Sequence, residues 1–242
     1  MKPILFFCIF FQGLLYSQSN GSGDAKRFAL GVNFSPDRCY RVWWAAPWSR
    51  KSIPGYKSKV DFRDSMETPR IGFTAGVGVL YRKSVNLTFE SGLYYASKGV
   101  NMIRMKVIPR TPDPYLPDYA SFTFRENYLE LPLKANYTFR SGRLNWYVSG
   151  GFSSNVFWSA KSVGLYEYSD GRTERVVGSL AGPSRFNFSI VAGLGMDYQL
   201  GERWAIRMEP TFRHAITPSV FRTEIGYYWH SVGLQTGVYL RL

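Results

Sequence analysis

The chain has 242 residues, a net charge of +13, 17% aromatic residues and 23 glycines, a size that suits one or two soluble domains or a single small barrel. Its two cysteines and two histidines exclude a disulfide-stapled fold and a metal-ligand cluster, because Cys8 lies in an apolar leader and Cys39 is then alone.

The N-terminus reads as a secretory signal over residues 1–17. Lys2 is the positive n-region, Ile4 to Phe11 with Leu14-Leu15-Tyr16 is the apolar core, and Ser17 is a small residue suited to cleavage. The apolar stretch is short for the roughly 20 residues of a spanning helix, and no other run approaches that length. Residues 18–242 are expected to form one exported domain. A basic exported surface suits anionic lipopolysaccharide or acidic partners, and export makes nucleic acid an unsuitable one.

Eight period-2 segments follow, at Arg27–Ser35, Arg70–Arg82, Val85–Ser97, Asn127–Phe139, Leu144–Trp158, Phe186–Leu200, Trp204–His214 and Tyr228–Leu242. Each is near or above the 9–11 residues that a tilted strand needs to cross a bilayer. In the second, Ile71, Phe73, Ala75, Val77 and Val79 oppose Gly72, Thr74, Gly76 and Gly78. In the sixth, Phe186, Phe188, Ile190, Ala192, Leu194 and Met196 oppose Asn187, Ser189, Val191, Gly193, Gly195 and Asp197. In the seventh, Trp204, Ile206, Met208 and Phe212 oppose Arg207, Glu209, Thr211 and Arg213. A soluble sandwich turns its large apolar residues inward and its charges outward. Here the polar face is rich in Gly, Ser and Asn, which suits a narrow lumen with the apolar face in lipid.

The connections alternate in length. Lys83-Ser84, Arg140–Arg143 and Gly201–Arg203 are short, whereas the other four run to about 12 to 35 residues. Short periplasmic turns and long extracellular loops are the mark of an outer-membrane barrel. Aromatics agree: Tyr81, Tyr137, Phe139, Trp146, Tyr198 and Trp204 lie beside the short turns. Phe34, Trp158, Phe186, Phe188, Phe212 and Tyr228 lie beside the long loops, which makes two interfacial girdles. The expected fold is all-β: a transmembrane antiparallel up-and-down β-barrel of about eight strands with a side-chain-plugged lumen.

Glu90, Glu130, Lys134, Asp197, Arg207, Glu209, Arg213 and Arg241 all fall on the inward parity. Acids and bases are mixed, so a salt-bridged plug is expected and an open pore is not, since an eight-stranded barrel is just wide enough for side chains to fill it. No cofactor is implied. His214 and His230 sit at the loop-side ends of adjacent strands, where some outer-membrane lipases place a base, but no Ser shares their face nearby and the nearest acid, Glu224, is in a loop. A triad needs nucleophile, base and orienting acid in register, so a catalytic role is not expected. The first long loop, Pro36 to Pro69, holds Trp43, Trp44 and Trp48 among bases, and the second holds Pro109, Pro112, Pro114 and Pro117. The tryptophans are candidates for a partner surface, or they fold back onto the barrel mouth.

The run Asn127-Tyr128-Leu129-Glu130-Leu131-Pro132-Leu133-Lys134 resembles a strand-four segment of the PorT-like outer-membrane barrels of the Bacteroidota, and the strand layout is similar over the whole mature chain. The stretch Glu209–Pro218 and the chain length are similar to the PorT/SprT branch. That resemblance implies a non-enzymatic barrel serving type IX protein secretion, with other secretion-machinery proteins as partners beside outer-membrane lipid and lipopolysaccharide, and no catalytic residues to carry over. The chain departs from many barrels in ending on Leu242 rather than Phe. A structural or adhesive barrel that binds lipopolysaccharide or a surface partner is the second reading, and an outer-membrane hydrolase the third.

Overall fold

The computed structural model describes residues 27–45, 55–109, 115–140, 142–180, 183–219 and 225–242. The expected signal segment and Cys8 lie outside these residues.

The order of elements is β1 (Phe28–Ala45), α1 (Tyr56–Met66), β2 (Glu67–Arg82), β3 (Leu87–Met102), β4 (Met105–Lys106), β5 (Tyr119–Arg140), β6 (Leu144–Glu167), β7 (Thr173–Ser179), β8 (Phe186–Gln199), β9 (Trp204–Ala215) and β10 (Ile225–Arg241). Every pairing is antiparallel. β1 pairs with β2, β2 with β3, β3 with β5, β5 with β6, β6 with β8, β8 with β9, β9 with β10, and β10 returns to β1. Eight long strands thus close into a ring, and closure leaves the wall no unpaired edge strand. Two short strands, β4 on β5 and β7 on β6, lie outside the ring.

Alternation fixes the faces. Along β8, Asn187, Ser189, Val191 and Gly195 are buried while Phe186, Phe188, Ile190 and Leu194 are exposed, and β9 repeats the pattern with Ala205, Arg207, Glu209, Thr211 and Arg213 inside. The outer wall is a band of exposed apolar side chains, among them Val32, Val77, Leu133, Val148, Leu194 and Val238. Among the described residues no helix is long and apolar enough to cross a membrane, so the strands are what could span one. Glycine keeps the lumen narrow where side chains cross it. A Cβ on Gly195 would come within 2.2 Å of the Tyr147 ring, and one on Gly193 within 2.4 Å of Glu209 Oε1.

The strands are longer than their alternation suggested. β1 runs through Pro36 to Ala45 instead of ending at Ser35, β5 begins at Tyr119 rather than Asn127, and β6 continues to Glu167 past Trp158. The stretch expected as a loop from Pro36 to Pro69 therefore holds strand at both ends and a helix, α1, that follows left-handed Gly55 (φ 64°). β5 and β6 have 22 and 24 residues, about twice a bilayer crossing. They continue roughly 30 Å beyond the apolar band. The mouth of the barrel is a sheet-built tower rather than a set of loops. Pro112, Pro114 and Trp48 lie outside the described residues.

A closed ring of this kind should stay folded in SDS at room temperature and migrate differently after boiling. Identical migration, with a helical circular-dichroism spectrum, would rule the ring out.

Candidate functional site

The lumen is filled by polar side chains in three tiers. Lowest, near the short turns, Glu90 is the hub: its two oxygens take Arg207 Nη1 at 2.6 Å, Lys134 Nζ at 2.9 Å and the Asn136 amide at 3.0 Å. Lys134 also reaches Glu209 at 3.2 Å. Glu209 accepts from Tyr147 at 2.8 Å and Ser149 at 2.6 Å. Arg207 forks onto Asp197 through Nε at 2.7 Å and Nη2 at 2.8 Å, and its guanidinium lies between the rings of Tyr147 and Tyr239, at 4.5 and 5.2 Å. Buried charge is tolerable only with this degree of pairing.

In the middle tier, Asp37 accepts from Arg213 at 2.9 Å, Ser35 at 2.7 Å and Thr74 at 2.5 Å. Lys98 and Glu130 pair at 2.7 Å. Asn155 donates to Asn187 and Ser189 at 2.7 and 2.8 Å.

The upper tier is aromatic. Val100, Tyr128, Ala215, Tyr227 and Trp229 form a buried cluster, with Trp43, Phe124, Phe157 and Tyr228 against it. Glu126 sits among them, accepting from Tyr128 at 2.5 Å, from Trp229 Nε1 at 2.7 Å and from the Tyr227 hydroxyl. Beside it Arg41 forks onto Glu67 at 2.6 and 2.7 Å, with the rings of Trp43, Tyr227 and Phe124 at 4.7, 4.9 and 5.1 Å. Above the barrel, Arg104 forks onto Glu167 at 2.6 to 3.2 Å and holds that carboxyl below the usual glutamate range. Arg104 also stacks on Tyr119 at 3.4 Å.

Of the residues singled out from sequence, Glu90, Lys134, Asp197, Arg207 and Glu209 share one network. Arg213 and Glu130 belong to the middle tier and find Asp37 and Lys98. Arg241 stands apart, half-buried at the turn-side mouth in a pocket it shares with Arg82 and Asp197. Asp37, Lys98, Glu126, Arg41 and Glu67 were not foreseen, since they fall in stretches read as loop. The signal was present for Asp37: Asn33, Ser35, Asp37 and Cys39 continue one inward alternation straight through Pro36.

Trp43 is half-buried on the rim, with Nε1 3.2 Å from Glu67 and its ring under Arg63 at 4.3 Å. Trp44 continues β1, its backbone opposite Gly226. His214 and His230 are opposite each other on the outer face with their Nδ1 atoms 2.9 Å apart, flanked by Phe212 and Tyr40. Among the described residues no group of His, Cys, Asp and Glu is arranged to hold a metal. Chemically, the three tiers can hold the ring rigid and close the lumen.

Structural neighbours are outer-membrane barrels. Neisserial surface protein A is 11% identical at a TM-score of 0.45, with 89% of this chain and 97% of that one covered. The outer membrane protein OprG of Pseudomonas aeruginosa is 12% identical at 0.43, with 88% and 96% covered. The outer membrane protease OmpT of Escherichia coli is 8% identical at 0.43, with 93% and 99% covered. No curated protein matches the chain. Residues 16–219 match the model of the outer membrane protein beta-barrel domain, and the chain belongs to that family of outer-membrane barrels.

Proposed function

We propose that this outer-membrane barrel is a non-enzymatic component of type IX protein secretion, exported through a cleaved signal at residues 1–17 and working through its surfaces together with other proteins of the secretion machinery. The observation that carries the surface role is the filled lumen: Glu90, Lys134, Arg207 and Glu209 interlock across the barrel, which leaves no passage for a polypeptide. What the molecule offers instead is a rigid tower, braced by Arg41–Glu67 and by the aromatic cluster around Glu126, and a set of basic short turns near Arg82, Lys83 and Arg143. The link to secretion rests on the resemblance of Asn127–Lys134 and Glu209–Pro218 to the PorT-like barrels.

Deleting the gene should trap type IX cargo in the periplasm, read by profiling secreted and periplasmic proteins, and a plasmid copy should restore export. Normal cargo secretion in the deletion strain removes the secretion reading and leaves a structural or adhesive barrel that binds lipopolysaccharide or a surface partner. A hydrolytic role has less support, because the His214–His230 pair has no carboxylate or serine placed against it among the described residues.

A further inference from the structure

The outer wall carries a row of cations without acids. Arg125 of β5 lies directly opposite Lys161 of β6, and on its other side opposite Gly99 of β3. Cross-strand partners share a face. That face is the outer one, since Arg125 and Lys161 are exposed while the next pair, Glu126 and Ala160, is buried in the lumen. A third cation comes from β2: Arg70 stands opposite the inward Cys39 of β1, and the bulge between Pro69 and Phe73 carries its side chain toward Gly99 instead. Arg70 reaches over Gly99, its Cδ and Nη1 both 3.0 Å from where a Cβ on that glycine would stand. From Arg70 on β2 to Lys161 on β6 the row spans four strands, about 15 Å of wall.

Two cations of the upper hairpins have carboxylates: Arg104 has Glu167 and Arg172 has Asp170. Among the described residues, none of the three cations in the row has one. Arg70 and Arg125 are close enough to repel each other, and Arg70 Nη1 is buried with no acceptor. Like charges on adjoining strands and an unsatisfied buried donor both cost free energy. An anion seated on the row would relieve both.

The height of the row suggests which anion. One pair nearer the lipid band, Ser97, Asn127 and Ser159 stand in register on the same face. Asn127 donates to Ser159 at 2.9 Å and keeps a buried, unpaired Oδ1. One pair lower still comes Tyr95, whose ring is 5.9 Å from Phe73, itself 6.2 Å from Phe34. Outward rings of this kind mark the membrane interface, so polar groups and then cations rise from it into the head-group layer on the long-loop side.

We propose that Arg70, Arg125 and Lys161 bind the phosphates of a phosphorylated glycolipid of the outer leaflet. Asn127 Oδ1 accepts from an amide or hydroxyl of its sugar, and the acyl chains lie along Tyr95, Phe73 and Phe34. Arginine suits the task because its fork meets two phosphate oxygens at once. The inference is independent of any role in secretion.

The test is native mass spectrometry of the detergent-purified full chain with diphosphorylated lipid A or its dephosphorylated counterpart. The wild type should retain the phosphorylated lipid about tenfold or more over the other, the scale of one or more charge-assisted contacts. Arg125→Ser/Lys161→Ser should abolish that preference, and Arg70→Ser should weaken it. Lys106→Ser, on a cation outside the row, should leave it intact. Equal retention of the two lipids, or an unaltered preference in the double variant with heat-modifiable migration preserved, would overturn the assignment. Complete displacement of the lipid by millimolar pyrophosphate would reassign the row to free phosphates and overturn the lipid site.

Discussion

Arg207→Met is expected to cost about 3–5 kcal/mol of unfolding free energy, the scale of removing one partner from a buried ion pair. Methionine retains the length of the side chain and its place between Tyr147 and Tyr239, so the loss is electrostatic rather than a cavity. Arg207 is the link between two acids: Nη1 goes to Glu90 and the other face of the fork to Asp197. Asp197 is partly open at the turn-side mouth, with 20% of its side chain exposed, and can recruit water. Glu90 is fully buried and cannot. It would keep Lys134 and Asn136 but lose its shortest contact. Adding Glu90→Gln should therefore return much of the loss, since the uncompensated charge goes with it, and the two effects should be far from additive. Urea unfolding in vesicles, followed by tryptophan fluorescence and by heat-modifiable migration, reads both. A cost below about 1 kcal/mol for the single variant would mean that water reaches the network and that the lumen is not sealed.

How much of this was legible in the sequence depended on the surroundings of each strand. Where a strand has lipid on one side and the lumen on the other, its two faces differ sharply, and Phe188, Ile190 and Leu194 against Asn187, Ser189 and Gly193 could be sorted by eye. Glu90, Lys134, Asp197, Arg207 and Glu209 were found in this way, because a charge in such a strand can face only inward. Their pairing was not legible: that Arg207 of β9 meets Glu90 of β3 depends on closure of the ring, with 117 residues between them.

Above the lipid the contrast disappears. Both faces of Tyr119–Glu126 and Ser159–Glu167 meet water or a mixed aromatic core, so the alternation fades and the strands resemble polar loop. Pro36 added a false stop. It lies on β1 with its side chain outward and exposed, between two residues that hold the inward alternation, Ser35 and Asp37. The missing ring hydrogen bonds fall where the pairing of β1 with β10 skips from Phe34 to Asp37. α1 escaped notice for a related reason: its 11 residues are mostly polar and exposed, so no apolar stripe announced a helix.

Leu194→Arg against Val176→Arg would locate the membrane on this molecule. The two residues are alike by exposure, at 49% and 44%, and both lie on antiparallel strands. They differ in height. Leu194 faces outward on β8 opposite Val148 of β6, in the middle of the apolar band. Val176 lies on β7, opposite the stretch of β6 that has already passed Trp158 and left the band. An arginine at the bilayer midplane costs about 2–4 kcal/mol in an outer-membrane barrel, falling to about 0–1 near the interface. Leu194→Arg is expected to show the full cost in vesicle unfolding titrations. Val176→Arg should change stability by no more than about 0.5 kcal/mol, as for an ordinary surface site. Comparable costs at the two positions would mean that the lipid reaches the β6–β7 hairpin. The cation row at Arg125 and Lys161 would then be buried in hydrocarbon rather than set among head groups. The expected difference is thus a measure of where the head-group layer begins, and so of whether the tower stands in water.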